Sequence, residues 1–465
     1  MTHAAGTTDS TAAAWEALGG DPALLSRVAS LPRAGALSAR LPVIELARAC
    51  VGACSLAAAE LAATRAGRAV GDVQVDDAAV ATAFTSERHL LIDGRTPVNF
   101  APLSRFWRTR DGWLRTHANY PHHRARLRAA LGVGEHATVQ GVTALLAERS
   151  AYEVEESVYA AGGLAVALRT PEQWAAHPQG AEIARRPLLT RERVDEAAPR
   201  PAQRPVRVLD LTRVIAGPVA TRTLALLGAD VLRVDAPQLP EDPDAHADTG
   251  FGKRSTRLDL GAGADRRTFE ELLAGADVVV TGYRPGALDR FGLAPEALVA
   301  RRPGLVVASL SAWGAYGPWG GRRGFDSLVQ VATGIAAVEG DPGGSGSPGV
   351  LPAQALDHGT GYLIAAAVLR SLTEQATEGG SRVLRLALAQ TAHWLVTGLR
   401  PPSEPDPAAS APDVTPDPRP WLAETDSPLG RLRYARSPVS FTGGPDDWHR
   451  PPGPWGTDVP EWQAP

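Results

Sequence analysis

Lysine, methionine and cysteine are almost absent from this chain of 465 residues. It has one lysine, Lys253, one methionine, and two cysteines, Cys50 and Cys54. The cysteines lie four residues apart in an apolar stretch, so on a helix they share one face and pack as small hydrophobic side chains. Two such cysteines make no disulfide framework, which suits a reducing compartment and predicts a cytoplasmic protein.

Long apolar runs and an excess of positive charge are also missing. The N-terminus does not combine a basic start with an apolar core, and the longest apolar runs, such as 362–369, are too short to cross a bilayer. The formal net charge of −4 gives no support for nucleic-acid binding. We therefore expect neither a membrane nor a nucleic-acid partner. The arginine bias, with abundant alanine, glycine and proline, is typical of a GC-rich bacterial genome.

Composition divides the chain into segments. Residues 1–12 are small and polar and predict a disordered tail. Residues 196–205 are rich in proline and indicate a linker between domains, and residues 401–420, rich in proline, aspartate, serine and alanine, predict a second linker. The remaining parts, 13–195 and 206–400, are long enough for separate hydrophobic cores.

Residues 206–400 have an α/β pattern. Strand-like apolar runs occur at 206–211, 230–235, 277–281 and 305–310, and helical patterns include 218–227 and 268–273. Continuous Val/Leu runs that alternate with helices are typical of a parallel sheet covered on both faces, so we predict a large Rossmann-like domain. Residues 13–195 predict a smaller α+β region, with helices at 43–65, 122–131 and 138–149 and strands at 88–93 and 112–117.

One internal similarity connects the two regions. Residues 41–75 align without a gap on residues 351–385, and both begin with Leu-Pro and continue as an Ala-rich helix, a Gly-containing turn and a strand. A coincidence between two Ala-rich helices is the alternative. If the repeat is real, Ala47 lies where Asp357 lies in the second copy.

Two other kinds of site were considered. The turn before Pro218 opens a helix whose N-terminus can hold an anion, and Asp235 ends the next strand where a dinucleotide fold places its ribose-binding acid. A nicotinamide cofactor is disfavoured, because the glycine fingerprint is missing. His117, His122 and His123 do not predict a metal, because adjacent histidines on a helix point about 100° apart and no other ligands are nearby.

Five collinear motifs carry a family resemblance. They are VLDLTRVIAGP (208–218) with LLGADVLRVD (226–235), GKRS (252–255) with LD (258–259), AD (276–277) with YRPGALDRFGL (283–293), SAWG (311–314) with GP (317–318) and GFD (324–326), and LD (356–357). Together they resemble the class III CoA-transferases, also called the CaiB/BaiF family.

The resemblance implies a CoA site, with CoA as a substrate and no tightly bound cofactor. The loop at 282–291 and its neighbours would line the nucleotide, and cations on loops suit its phosphates. For each arginine taken alone, a solvated surface charge is the alternative. The implied binding residues are Ile215, Ala216, Lys253, Leu258, Gly282, Tyr283, Arg284, Ala287, Arg290, Phe291 and Arg323.

Asp357 is the catalytic residue that the resemblance implies. Family members use this carboxylate as a covalent nucleophile toward an acyl-CoA thioester. We expect amides at the helix start to lower its pKa and to act as oxyanion donors; an N-cap aspartate is the alternative. His358 is adjacent, with no assigned role. Racemases of this fold carry a histidine where this chain has Phe325, which argues against racemisation.

The resemblance also implies a rearranged chain. The family's small α+β domain follows the catalytic helix, but here it matches residues 111–187, and residues 421–465 match the C-terminal tail that returns to the large domain. The stretch 93–100 corresponds to a Gly-rich loop over the active site but has one glycine, and residues 100–113 are candidates for acyl contacts. Family members form interlocked homodimers, so we expect a homodimer or a mimic of one within a single chain.

The predicted function is CoA transfer from an acyl-CoA to a small carboxylic acid through Asp357. An acyl-CoA isomerase, racemase or dehydratase of the same fold is one alternative. A degenerate CoA-binding partner without turnover is the other.

Overall fold

The computed structural model describes residues 9–98, 100–200, 205–341, 346–400 and 415–463. The helices are α1 (Asp9–Ala17), α2 (Val43–Ala66), α3 (Asp77–Phe84), α4 (Ser86–His89), α5 (Pro121–Leu131), α6 (Val139–Ala147), α7 (Ala151–Ala160), α8 (Pro171–Ala176), α9 (Pro178–Ala184), α10 (Ala216–Leu226), α11 (Pro243–Thr249), α12 (Gly263–Gly275), α13 (Pro295–Arg301), α14 (Asp326–Ala332), α15 (Ile335–Val338), α16 (Ala355–Glu378) and α17 (Leu388–His393). The strands are β1 (Val28–Leu31), β2 (Val73–Asp76), β3 (Leu91–Ile92), β4 (Phe106–Arg108), β5 (Trp113–Thr116), β6 (Ala165–Ala167), β7 (Leu189–Arg193), β8 (Arg207–Leu211), β9 (Asp230–Asp235), β10 (Arg254–Arg257), β11 (Val278–Thr281), β12 (Val306–Ser311), β13 (Arg382–Ala387), β14 (Leu422–Ser427) and β15 (Gly430–Ala435).

A seven-stranded sheet forms the centre of the large domain. Its order is β10-β9-β8-β11-β12-β13-β7, with all neighbours parallel except β13 and β7. The six parallel strands have the doubly wound Rossmann order, whose ligand crevice lies where the order reverses, between β8 and β11. The predicted α/β class is therefore confirmed.

Both faces of this sheet are covered, as the continuous Val runs predict. Val278 and Val280 point into one core with α10 and α16, whereas Val279 and Val307 point into a second core with α12 and α13. Alternate residues of one strand serve opposite faces because side chains alternate along a strand.

The N-terminal region does not form one unit over 13–195. Residues 103–167 have a core of their own, with the antiparallel sheet β4-β5-β6 and helices α5 to α7, and we call this part the small domain. Residues 9–92 instead pack mainly on the large domain, through α2 against α16. β7, which precedes the 196–205 linker, pairs with β13 and so belongs to the large sheet.

Three other expectations need correction or fall outside the described chain. Residues 9–12 are not a disordered tail, because α1 buries Thr11 and Trp15. Residues 88–89 end the helix α4 rather than start a strand. Of the Pro-rich segment, residues 401–414 lie outside the described residues.

The C-terminal residues return to the large domain. β14 and β15 form a hairpin that pairs with β3, and residues 450–463, which we call the strap, run along the edge strand β10. In the strap, Asp458 exchanges two hydrogen bonds with Ser255, at 2.7 and 2.8 Å, and Trp462 donates to the Leu272 carbonyl at 3.0 Å. The strap thus covers one edge of the sheet, and β7 covers the other.

α2 is the described helix that is long and apolar enough, by length and composition, to cross a membrane. Its most apolar stretch is 89% buried inside the fold, as in a core helix. The sequence analysis predicts this helix at 43–65 but does not count it among the long apolar runs, because its alanines and glycines interrupt the strongly apolar residues.

Candidate active site

A cavity of about 1160 Å³ lies at the carboxyl ends of β8 and β11, between the large sheet and the small domain. Leu211 ends β8 in its wall, and the loop after β11 forms another wall. The small domain closes the remaining side through Tyr120, which precedes α5, and through His122, His123 and Arg126 of α5. This is the position at which open α/β sheets bind ligands.

Asp357 lies in the wall of this cavity as the third residue of α16 and is 6% exposed. Its neighbour Asp326, the first residue of α14, is fully buried. The Asp326 carboxylate accepts hydrogen bonds from the Asp357 amide at 2.9 Å and from Gln330 Nε2 at 2.5 Å. The backbone amide of Asp357, at the helix start, is therefore already hydrogen-bonded to the carboxylate of Asp326.

This arrangement changes the expected ionisation of Asp357. Burial raises its pKa well above the ordinary value, and the neighbouring charge of Asp326 raises it further. Burial also raises the pKa of Asp326 to about 6, against the hydrogen bonds that it accepts. The prediction that helix-start amides lower the pKa of Asp357 is wrong: burial raises this pKa most, and Asp326, which accepts the hydrogen bond from the Asp357 amide, adds a like charge.

Ten of the twelve predicted site residues line the cavity. They are Ala216, Leu258, Gly282, Tyr283, Arg284, Ala287, Arg290, Phe291, Arg323 and Asp357. Ile215 lies just before α10 and packs partly buried against the main core instead.

Lys253 is the second exception. Its ammonium is buried below the first turn of α10, where it donates to Asp210 Oδ2 at 3.1 Å, Thr221 Oγ1 at 2.7 Å and the Pro218 carbonyl at 3.1 Å. Burial lowers its pKa to about 8, although the Asp210 carboxylate opposes this. The expectation that Lys253 faces CoA phosphates is therefore corrected: it ties β8 to α10.

Cations from two domains converge on the cavity. Arg284, Arg290 and Arg323 come from the large domain, and Arg126 comes from α5. Burial lowers the pKa of Arg323, and the nearby charges of Arg284 and Arg126 lower it further. Like charges held close together are stabilised by an anionic ligand, so this wall suits phosphate or carboxylate groups.

A buried carboxylate fixes the junction of the two domains. Glu241 accepts from the Tyr120 hydroxyl of the small domain at 2.7 Å and from Arg233 at 2.9 Å. Although burial opposes it, Arg233 and then Arg213 lower the pKa of Glu241 to about 2. Glu241 also accepts from the amide of Val214, a β-branched residue with φ of 72° in the cavity wall. Such a conformation is costly and persists where surrounding contacts impose it.

The contribution of α5 was missed by the sequence analysis. Tyr120 is the N-cap of α5, and the side chain of the preceding Asn119 accepts from Ser104 at 2.6 Å and from the Ala101 amide at 3.0 Å. His117 stacks on Phe325, with ring centroids 3.7 Å apart. No local pattern marks His122 and Arg126 as cavity residues, because the wall that they complete lies far away in the sequence.

The stretch that corresponds to the Gly-rich loop lies elsewhere. Among residues 93–98 and 100–113, none lines the cavity. Arg95 pairs with Asp244 on the surface at 2.6 Å, and Phe100 contacts Arg115, with the guanidinium 5.5 Å from the ring centre. These residues therefore do not supply a lid or acyl contacts in this structure.

Comparison with known proteins gives the family. Residues 204–400 match the family described as CoA-transferase family III. Acetyl-coenzyme A transferase nodX of Hypoxylon pulicicidum is 33% identical over 248 residues, covering 51% of this chain and 39% of that protein. A probable fatty acyl-CoA transferase of Mycobacterium tuberculosis is 35% identical over 199 residues, covering 40% of this chain and 50% of that protein.

A crystal structure of that M. tuberculosis protein aligns with a TM-score of 0.39 and 32% identity, covering 44% of this chain and 57% of the other. The chain thus spans half or less of the length of the two curated relatives. Residues 204–400, which match CoA-transferase family III, contain the six parallel strands of the Rossmann-like sheet, the 282–291 loop and Asp357.

Proposed function

We propose that the chain transfers CoA from an acyl-CoA donor to a small carboxylic acid, with Asp357 as the covalent nucleophile. The observation that carries the proposal is the position of Asp357 in the wall of the cavity that also contains the 282–291 loop and the converging arginines. CoA is a substrate here and not a resident cofactor.

The reaction has four exchanges at one carboxylate. The ionised carboxylate of Asp357 attacks the thioester carbonyl, which gives a mixed anhydride and CoA thiolate. The thiolate attacks the aspartyl carbonyl, which releases the donor acid and leaves an aspartyl-CoA thioester. The acceptor carboxylate attacks this thioester and frees the thiolate again. The thiolate then attacks the acceptor's acyl carbonyl and restores the aspartate.

The environment of Asp357 supports this chemistry. Burial, and then the charge of Asp326, raises the pKa of Asp357, so a larger share of it is protonated than of an ordinary aspartate, and only the ionised share attacks. Once ionised in a buried site it is poorly hydrated, which favours nucleophilic attack over solvation. The cationic wall holds the anionic CoA and the acceptor carboxylate close to it.

The test is intact-protein mass spectrometry after incubation with a panel of short acyl-CoAs and hydroxylamine quenching. We expect a covalent change on Asp357 that disappears in Asp357→Asn. Asp244→Asn is the matched control, because Asp244 also lies in the first turn of a helix but outside the cavity. It should label like the wild type.

Two other outcomes would point elsewhere. CoA binding without an adduct, together with conversion of one acyl-CoA in the absence of an acceptor, would favour an isomerase. CoA binding with neither adduct nor conversion would favour a binding protein. Either result would refute the proposal that the chain is a CoA-transferase.

A further inference from the structure

Val214 has an unfavourable backbone conformation in the loop that joins β8 to α10. Three described residues other than glycine have a positive φ, and Val214, at 72°, is the β-branched one among them. This left-handed conformation crowds a β-branched side chain, so a loop that is free to relax would leave it. Val214 lines the cavity together with its neighbours Arg213 and Ala216. Another group must therefore hold residues 213–216, which we call the first loop, in this shape.

The large domain fixes both ends of the first loop. Before it, the Thr212 amide donates to Asp210 Oδ1 at 3.0 Å. After it, Gly217 lies so close to Thr212 that an added Cβ atom would be 2.3 Å from Thr212 Cβ. Lys253 joins Asp210 to the Pro218 carbonyl, with both hydrogen bonds at 3.1 Å. These contacts determine where the loop begins and ends, but none of them involves the Val214 amide.

Glu241 holds the middle of the first loop. Its Oε2 atom accepts from the Val214 amide at 3.3 Å, and its Oε1 atom accepts from Arg213 at 3.4 Å. Arg233 donates to the same carboxylate at 2.9 Å and is itself paired with Asp235 at 2.7 Å. The side chain of Glu241 is 1% exposed, and charged hydrogen bonds are strong in a buried site. A carboxylate held this firmly can impose the conformation of Val214.

The small domain binds the same carboxylate. The Tyr120 hydroxyl donates to Glu241 Oε1 at 2.7 Å, and the guanidinium of Arg213 lies 4.8 Å from the centre of the Tyr120 ring. Glu241 therefore contacts the first loop on one side and the docked small domain on the other.

We propose that Glu241 is a positioning residue for CoA binding. It keeps the first loop in the conformation that forms the cavity wall, and Tyr120 makes that conformation depend on the docked small domain. Glu241 is not among the residues that line the cavity, so it acts through Val214 and Arg213. This inference rests on the proposed function, which names CoA as the ligand.

The test measures the Kd for CoA of the full-length protein by isothermal titration calorimetry. Glu241→Asp keeps the charge beside Arg233 but withdraws the carboxylate from the Val214 amide, so the first loop has to adopt its conformation during binding. We expect Kd to rise about tenfold, since apparent affinity falls with the fraction of molecules in the competent conformation. Adding Val214→Gly should return Kd to within about threefold of the wild type, because glycine adopts a positive φ without strain.

Glu155→Asp is the matched control. Glu155 is also a buried carboxylate that binds an arginine and a backbone amide, those of Arg169 and Ala167, both at 2.7 Å, but it lies outside the cavity. This variant should lower the Tm and leave Kd unchanged. The same behaviour in Glu241→Asp would overturn the proposal. A raised Kd that Val214→Gly does not restore would also overturn it, because Glu241 would then act through its charge and not through the loop.

Tyr120→Phe tests the contribution of the small domain. Loss of the hydroxyl should raise Kd about threefold, the effect of one hydrogen bond, and should have no effect when Val214→Gly is also present. An equal rise in both backgrounds would overturn the role of docking, because Tyr120 would then contact the ligand directly.

Two further outcomes are distinguishable from these. If Glu241→Asp does not fold, Glu241→Gln, which has the same size, takes its place, and rescue by Val214→Gly decides the question in the same way. Wild-type protein that binds no CoA would overturn the proposed function together with this inference, whereas the outcomes above leave the proposed function standing.

Discussion

Replacing Lys253 by methionine distinguishes two possible roles of this lysine. It could bind phosphates of a ligand in the cavity, or it could hold β8 and α10 together. Its ammonium makes three hydrogen bonds, to Asp210, Thr221 and the Pro218 carbonyl, and its side chain is 2% exposed. Methionine keeps most of the length of the side chain but removes the charge and the donors. The variant would leave the Asp210 carboxylate buried without its cation.

The expected loss of stability follows from this geometry. Removing one partner of a buried ion pair costs about 3–5 kcal/mol. Asp210 keeps donors from the Thr212 amide at 3.0 Å and the Thr221 hydroxyl at 2.6 Å, which favours the lower end, about 3 kcal/mol. With roughly 2–4 °C per kcal/mol for a domain of this size, differential scanning calorimetry should show a Tm lower by about 6–12 °C.

The kinetics should change little in the same variant. Because the ammonium points away from the cavity, KM for an acyl-CoA should stay within about twofold below the unfolding temperature. Adding Asp210→Asn should restore part of the lost stability, since the buried charge is then gone. An unchanged Tm with a KM raised tenfold or more would refute the reasoning and make Lys253 a phosphate ligand.

Three further predictions concern the cavity and the small domain that closes it. The rate of acyl labelling should rise with pH, because only ionised Asp357 attacks and its pKa is raised; Asp326→Asn should move this rise to lower pH by removing the like charge. A pH-independent rate would contradict this. Arg126→Ala should raise KM for acyl-CoA roughly tenfold with little change in kcat, because one charge-assisted hydrogen bond to the bound substrate is lost. An unchanged KM would mean that the phosphates bind elsewhere. Glu155→Ala should lower the free energy of unfolding by about 3–5 kcal/mol in denaturant titration, because it strands the buried guanidinium of Arg169.

Much of the large domain could be predicted from the sequence. Runs such as Val278 to Val280 are apolar at every position, which is typical of a sheet covered on both faces. The 282–291 loop and Asp357 could be placed in one site because the five collinear motifs resemble those of a family in which the matching residues share a site. For these residues the prediction depended on the family resemblance, not on local chemistry alone.

The errors arose where the environment of a residue comes from distant parts of the chain. Lys253 was taken for an exposed cation because nothing near it in the sequence shows that Asp210, 43 residues earlier, is its partner. The pKa of Asp357 depends on burial by the surrounding fold and then on Asp326, which is 31 residues away. Arg126 enters the cavity because the small domain docks there, and docking of two domains leaves no periodic signal in either.

The coverage of the sheet edges by β7 and the strap has a practical consequence. Both segments lie outside residues 204–400, the span of the family match. A fragment cut at those limits would expose the backbone of β10 and β13 at the same time, and bare strand edges promote pairing between molecules. The fragment would also lack α2, so the apolar face of α16 would be exposed to solvent. Attempts to isolate residues 204–400 by the family boundaries should therefore yield aggregates, whereas fragments that begin before α1 and end after the strap should remain dispersed.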